Sequence, residues 1–348
     1  MAAPGSWMTR SKEFRFKEVM DGSDRSPSAG MLRAAAGCVE PVYSGIMRFR
    51  NAMYDAGILA SRPLGRPTIS VGNITTGGTG KTPVVRWLSR RFAEMGQHPA
   101  ILMRGYNPTS RGLSDEQALL GADGIPVIAD PDRKRGAATA LSRQPGTTLF
   151  ILDDGMQHRR VRRDFELAII HAAEPFGFGR IFPRGLLREP LGGLGRADAV
   201  LVTHVDEVDA AALAGITSTI RAYNKTAPIF QCDHVVQGDF AGKRYFAFCG
   251  IGSPASLFWR LGTLGGTCAG VRAFDDHHDY TEADLVQIND AAGSARAEIL
   301  ITTVKDWVKL ERSADKFSLP VVRAELLLRF RPGDDEQLMA AIRKRLRV

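Results

Sequence analysis

Two patterns of apolar and polar positions divide the chain. Across residues 40–59, Val42, Tyr43, Ile46, Met47, Met53, Tyr54 and Ile58 recur at three- and four-residue steps, which predicts a helix. Arg48 and Arg50 punctuate that stretch, and Arg62 and Arg66 follow it. From Pro67 onward, short apolar runs alternate with helically spaced ones. Strands are expected at 68–71, 100–103, 148–152, 167–170 and 199–203, with a helix from about 81 to 95. Such alternation predicts an α/β domain with a mostly parallel sheet. Residues 226–238 are less periodic and read as a connection. A second, smaller α/β unit is expected from Tyr245: a strand at 245–249, a Gly-Ile-Gly turn, a helix at 254–264 and a strand at 298–302. The predicted divisions are an N-terminal segment (1–66), a first α/β domain (67–235) and a second (236–348).

Composition narrows the class. With 348 residues, 44% hydrophobic and 24% charged, the chain can bury the cores of about two folded domains. A net charge of +8 draws anions, whether nucleotides, phosphorylated substrates, acidic lipid headgroups or nucleic acid, without choosing among them. Cys38, Cys232, Cys249 and Cys268 are scattered, which is neither a zinc pattern nor a disulfide framework and favours a reducing cytoplasmic setting. No run reaches the roughly 18 apolar residues of a membrane-spanning helix, and the first thirty residues lack the apolar centre of a secretory signal. A basic amphipathic helix over 40–59 can lie in an anionic membrane surface or simply pack on the domain behind it.

The strongest local signal runs from Ser70 to Thr82 between a strand and a helix. Gly77, Gly78 and Gly80 let backbone N–H groups close around phosphate oxygens, with Thr75, Thr76 and Thr79 in the same loop. Lys81 offers a point charge to the β- and γ-phosphates, and the Thr82 hydroxyl suits Mg²⁺. Thr75 departs from the usual phosphate-loop pattern, which has glycine there. Asp153 and Asp154 end an apolar strand, as a Walker B element does, and Asp154 is expected to ligate the metal. Asn73, Gln157 and His158 would face the same crevice.

Further motifs follow in a fixed order. They are Arg104-Gly-Tyr106, Ser114-Asp-Glu116, Asp153 to Arg159, Pro183 to Leu191, Gly250-Ile-Gly252, Asp276-His-His278 and Thr302 to Asp306. Together with the phosphate loop, this series resembles the tetraacyldisaccharide 4′-kinase family, from about residue 40 to the C-terminus. The resemblance implies a P-loop NTPase-type fold with a second α/β domain closing the active-site cleft, and an N-terminal helix on the cytoplasmic face of the inner membrane. It implies transfer of the γ-phosphate of ATP, with Mg²⁺, to the 4′-hydroxyl of tetraacyldisaccharide 1-phosphate. By resemblance, Asp115 is the base, Glu116 lies near the metal, and His277 is the partner of Asp115, with His278 an equally available neighbour. Arg188 would stabilise phosphate charge, with Arg104 a weaker candidate; an ion pair between Arg188 and Glu189 is the bland alternative.

The rival is a P-loop GTPase or a metallochaperone-like NTPase. Guanine readers carry an Asn/Thr-Lys-x-Asp motif, which Asn224 to Ala227 and Thr303 to Asp306 both narrowly miss. No aromatic-rich sheet supports a nucleic-acid partner, and no obligate protein partner is evident.

Overall fold

The computed structural model describes residues 12–76, 80–105, 115–251, 254–275 and 278–347, leaving out the side chains of 12–15, 115, 116, 118 and 256. The chain divides into two compact units. The first comprises Phe16–Asn107, Leu120–His234 and Leu328–Val348, and the second is centred on Val235–Leu327.

The first unit opens with helices α1 (Lys12–Asp21) and α2 (Pro27–Asp55). Its sheet comprises β1 (Thr68–Gly72), β2 (Pro99–Met103), β3 (Val127–Ala129), β4 (Leu149–Asp153), β5 (Phe165–His171), β6 (Ala199–Thr203) and β7 (Ile229–Gln237). Helices α3 (Lys81–Glu94), α5 (Arg133–Arg143) and α6 (Ala210–Tyr223) fall between the strands, while α4 (Asp115–Gly121) begins in the second unit and only its end belongs to this one. The strand order is β3-β2-β4-β1-β5-β6-β7, and the neighbours pair in parallel. Strands covered on both faces need unbroken apolar runs, which is why β1, β2, β4 and β6 are buried throughout. Alternation still sorts their side chains. On β5, Phe165, Leu167 and Ile169 join one core with Ile69, Leu88 and Phe92, while Ala168 and Ile170 join another with Val200, Ile216 and Ile220. Strand order reverses direction at β1, so the loop after β1 opens at the switch point where parallel sheets bind ligands.

The second unit holds β8 (Arg244–Cys249), α7 (Pro254–Gly262), β9 (Thr267–Ala273), α8 (Glu282–Ser294), β10 (Ile299–Thr303), α9 (Val304–Leu310) and β11 (Val321–Phe330). Its strands run in the order β11-β10-β8-β9, again in parallel. Tyr245, Leu257, Leu261 and Ile301 form one core, and Phe248, Leu285, Ile288 and Trp307 another.

The α/β class and parallel sheet agree with the sequence reading, with three differences in detail. The stretch 226–238 contains strand β7 (Ile229–Gln237) where a connection was expected. Gln231, Asp233 and His234 interrupt its apolar run, and pairing with β6 (Val200↔Ile229, Thr203↔Cys232) supplies what periodicity did not. The predicted helix at 40–59 starts much earlier. The Ser26 hydroxyl caps it by accepting from the Ala29 amide at 3.3 Å, Pro27 sits in its first turn, and it runs on through Pro41 despite the lost backbone donor. Finally, residues 236–348 do not all stay with the second unit. Helix α10 (Asp334–Leu346) returns to the first, where Leu338, Met339, Ile342 and Leu346 share a core with Ile69 and Leu167.

Helix α2 is apolar on two faces. Ala29, Ala36 and Met47 are buried, yet Val42 (62%), Ile46 (59%) and Phe49 (69%) stand largely exposed, in line with Val39, Met31 and Leu32. No helix among the described residues is long and apolar enough to cross a membrane.

Candidate functional site

The phosphate loop follows β1 and leads into α3, whose N-terminus carries the unpaired amides that attract anions. Gly80 caps that helix in the left-handed region (φ 76°), a conformation glycine adopts without strain. Gly77, Gly78 and Thr79 lie outside the described residues. The start of the loop is stitched to a second segment: the Thr76 amide donates to the Leu186 carbonyl (2.7 Å) and the Arg188 amide to that of Ile74 (2.8 Å). Thr75 forms an antiparallel bridge with Leu187, and its carbonyl and hydroxyl accept from the Asn73 side chain at 2.9 and 3.1 Å. This pairing accounts for threonine where phosphate loops usually carry glycine. The residue is held as strand, by side-chain and backbone bonds alike.

Asp153 and Asp154 end β4 beside this loop, as their sequence context predicts. Asp154 adopts a left-handed backbone (φ 54°), which turns it away from the strand direction. Lys81 Nζ donates to Asn73 Oδ1 at 3.1 Å and lies 3.4 Å from Asp154 Oδ1. Arg188 Nη1 donates to both Asp154 oxygens at 2.8 and 2.7 Å. Burial alone would raise the Asp154 pKa, but Lys81 and Arg188 outweigh it and hold the carboxyl below its usual range. Asp153 is buried, and its carbonyl accepts from Arg133. Thr82 stands half-buried in the first turn of α3.

Arg188 thus pairs with Asp154 and not with Glu189, so the bland alternative fails. Glu189 is 1% exposed and accepts from Arg196 (2.8 Å to both oxygens), Asn51 (2.9 Å) and Gln157 (2.9 Å). Gln157 also donates to the Asn73 carbonyl at 2.8 Å, tying the Walker B turn to the phosphate loop. Helix α2 closes the frame: Arg50 donates to the Gln157 carbonyl (2.6 Å) and Tyr43 to the Arg188 carbonyl (3.2 Å). His158 is held neutral, its pKa lowered to about 4 by burial and then by Arg133, Arg163 and Arg160. Arg104 is exposed just past β2. The structure therefore gathers Asn73, Thr75, Lys81, Asp154, Gln157 and Arg188 into one constellation.

In the second unit, helix α4 begins at Asp115, but the side chains of Asp115 and Glu116 lie outside the described residues, as does all of His277. His278 is committed elsewhere. Its Nε2 lies 3.0 Å from Asp284 Oδ2, within the capping box of α8, and its ring stacks on Phe274. Both near-misses to a guanine reader are structural. Asp306 is fully buried and accepts from Thr303 (2.6 Å) and the Gly250 amide (3.0 Å). The Asn224 side chain clamps the carbonyls of Leu194 and Ala197.

Sequence reasoning missed Glu189, Asn51, Tyr43 and Arg50 as parts of the frame. It also missed His204 and His234, whose rings crowd Gly80. Only the polar Asn51 among the apolar repeats of α2 offered a signal.

A family model described as LpxK, tetraacyldisaccharide-1-P 4′-kinase, matches residues 37–347. The chain is similar to a tetraacyldisaccharide 4′-kinase of Anaeromyxobacter sp. (strain Fw109-5), 35% identical over 327 residues that cover 84% of this chain and 87% of the relative. It is also similar to one from Syntrophus aciditrophicus (strain SB), 36% identical, covering 89% and 91%. Among solved structures, LpxK from Aquifex aeolicus in complex with ATP aligns with a TM-score of 0.70 at 27% identity, covering 90% of this chain and 99% of that one.

Proposed function

The chain belongs to the tetraacyldisaccharide-1-P 4′-kinase family, and on that premise we propose that Lys81, Thr82, Asp154 and Arg188 form the phosphate-handling half of its active site. It is an ATP-dependent lipid kinase that phosphorylates the 4′-hydroxyl of tetraacyldisaccharide 1-phosphate in lipid A biosynthesis. The observation that carries the residue assignment is the junction of Lys81, Asp154 and Arg188 at the carboxyl ends of β1 and β4.

In the reaction, the 4′-oxygen attacks the γ-phosphorus, the bond to the β–γ bridging oxygen breaks, and ADP leaves. The hydroxyl proton passes to a base, which by family resemblance is Asp115, with His277 as its partner. The commitment of His278 to Asp284 and Phe274 favours His277 over its neighbour for this role. Lys81 and Arg188 place two positive charges where negative charge is transferred, and positioned charge supplies most of the catalysis in phosphoryl transfer. The donor types suit Mg²⁺, because an ionised Asp154 carboxylate and the Thr82 hydroxyl are both hard oxygen ligands. Asp154 and Thr82 would hold the ion, with Glu116 by resemblance, and the ion would neutralise the β- and γ-phosphate oxygens. Gly77 to Gly80 supply backbone amides, while Asn73 and Gln157 keep the loop and the Walker B turn in register.

The exposed stripe of α2 supports a peripheral seat on the cytoplasmic face of an anionic inner membrane, where the acylated substrate resides. A cavity of about 550 Å³ lies beside that helix, lined by Arg48, Arg180 and Leu187 among others.

The test is transfer of label from γ-labelled ATP into the lipid, with Asp115→Ala and Arg188→Ala alongside the wild type. Arg188→Ala is expected to lower kcat by about 10²- to 10³-fold, the loss seen when one transition-state donor is removed. Asp115→Ala should lose transfer while still binding ATP. Full transfer by Asp115→Ala would remove it as the base, and GTP hydrolysis without lipid labelling would overturn the kinase assignment.

A further inference from the structure

The proposed mechanism leaves unused an ion pair buried in the first unit. Glu166 lies in β5 directly across from Ser70 of β1, and only 2% of it is exposed. Arg163 Nε lies 2.7 Å from Glu166 Oε2. The remaining guanidinium nitrogens go to main chain. Nη2 donates to the Met156 carbonyl at 3.1 Å, and Nη1 donates to those of His158 and Val161, both at 3.4 Å. One side chain thus spans the loop that leaves the Walker B carboxylates.

That loop needs bracing. Asp154 at its start is left-handed (φ 54°), and a residue other than glycine stays there only where its surroundings over-determine the backbone. Strand β1 supplies one set of contacts. The Gly155 amide donates to the Val71 carbonyl at 3.2 Å, Gly155 packs on Ser70, and Met156 packs on Gly72 so closely that a Cβ on either glycine would collide. Arg163 supplies the other set, and Glu166 anchors Arg163 to the sheet. A buried ion pair adds little net stability over apolar side chains of similar volume. What this pair adds is geometry, because the guanidinium is a rigid planar fork that a lysine ammonium cannot replace.

We propose that Arg163, anchored by Glu166, is a positioning residue for phosphoryl transfer: it fixes the turn that aims the Asp154 carboxylate at the metal-bound nucleotide. The inference rests on Asp154 being the metal-ligating carboxylate of the proposed function. Neither Arg163 nor Glu166 touches the substrates in this role. Their effect is read through the metal requirement, since supports behind a ligating group set how well it binds.

The experiment measures ATP affinity of the full chain by calorimetry, in EDTA and across a Mg²⁺ titration, beside the Mg²⁺ dependence of transfer and the melting temperature. The variants are Arg163→Lys, Glu166→Gln and Asp154→Asn. Arg163→Lys keeps the charge beside Glu166 and loses the fork. It should bind ATP in EDTA as the wild type does, yet need about 10- to 100-fold more Mg²⁺ for tight binding and for half-maximal transfer. Glu166→Gln keeps the side-chain shape and should shift the Mg²⁺ requirement in the same direction, which keeps the test open if Arg163→Lys folds poorly. A lower melting temperature with an unchanged Mg²⁺ requirement would show that the pair serves the fold alone. Equal weakening of ATP with and without Mg²⁺ would show that it props the phosphate loop; both outcomes overturn the proposal. Asp154→Asn separates the premise. If it too keeps the wild-type Mg²⁺ requirement, the metal assignment fails, whereas a changed Asp154→Asn beside an unchanged Arg163→Lys defeats the positioning role alone.

Discussion

His158 follows the Walker B carboxylates, and its surroundings give it a thermodynamic consequence. Its pKa falls from the ordinary 6.5 to about 4 in the folded protein. Between those values the unfolded chain binds a proton that the folded one refuses, so stability declines as pH falls through that window and is unaffected above it. The ring is only partly buried, and solvent screening limits the effect to about 1 kcal/mol. The melting temperature of the wild type should therefore drop further between pH 7 and pH 4.5 than that of His158→Gln. Identical drops would show that another group governs the acid limb. Residue types legible at this scale were those whose chemistry is local. Lys81, Thr82 and Asp154 announce themselves by standing at the ends of apolar runs. Glu189 could not be recognised, because its importance comes from burial against Asn51, Gln157 and Arg196, which lie up to 138 positions away. Arg188 was visible as a charge, but its partner was not.

Among the elements, the strands of the first unit were read closely because strands buried on both faces leave continuous apolar runs. Strand β7 escaped notice because its polar residues serve the turn after β6 and the contact between the His234 and His204 rings. Helix α2 was half seen, since its first turns are rich in alanine and glycine and carry little periodic signal. Its outward stripe makes a prediction of its own. Replacing Val42 and Phe49 together by aspartate should abolish co-sedimentation with anionic vesicles. Both side chains are exposed, so the melting temperature should hardly move. Activity should fall on vesicle-borne substrate and survive on substrate dispersed in detergent. Vesicle binding that persists would assign the anchoring to another surface.

For the whole molecule, the linear division into a first domain and a second breaks down at the chain's end. Leu338, Met339, Ile342 and Leu346 of α10 are buried against strands laid down more than a hundred residues earlier. No local pattern signals such a return, since an amphipathic helix does not declare which sheet it will cover. A fragment ending at residue 235 would expose that face of the sheet. Each of these side chains contributes about 1.5–3 kcal/mol on burial, comparable in sum to the whole stability of a domain. The fragment is therefore expected to be degraded rapidly in limited proteolysis, while the full chain resists. A fragment as resistant as the full chain would show that α10 is dispensable.

The two-sidedness of α2 bears on how the enzyme is best simplified for study. Its outer stripe invites amputation as a route to a lipid-free preparation. Its inner side, however, supplies Asn51 to Glu189, Arg50 to the Gln157 carbonyl and Tyr43 to the Arg188 carbonyl. Trimming the chain to residue 66 would strip three struts from the catalytic scaffold along with the greasy surface. Its solubility would come with a slackened phosphate loop, and its poor turnover would be mistaken for a need for lipid. Repainting the outer stripe with polar side chains, and leaving the rod in place, separates the two.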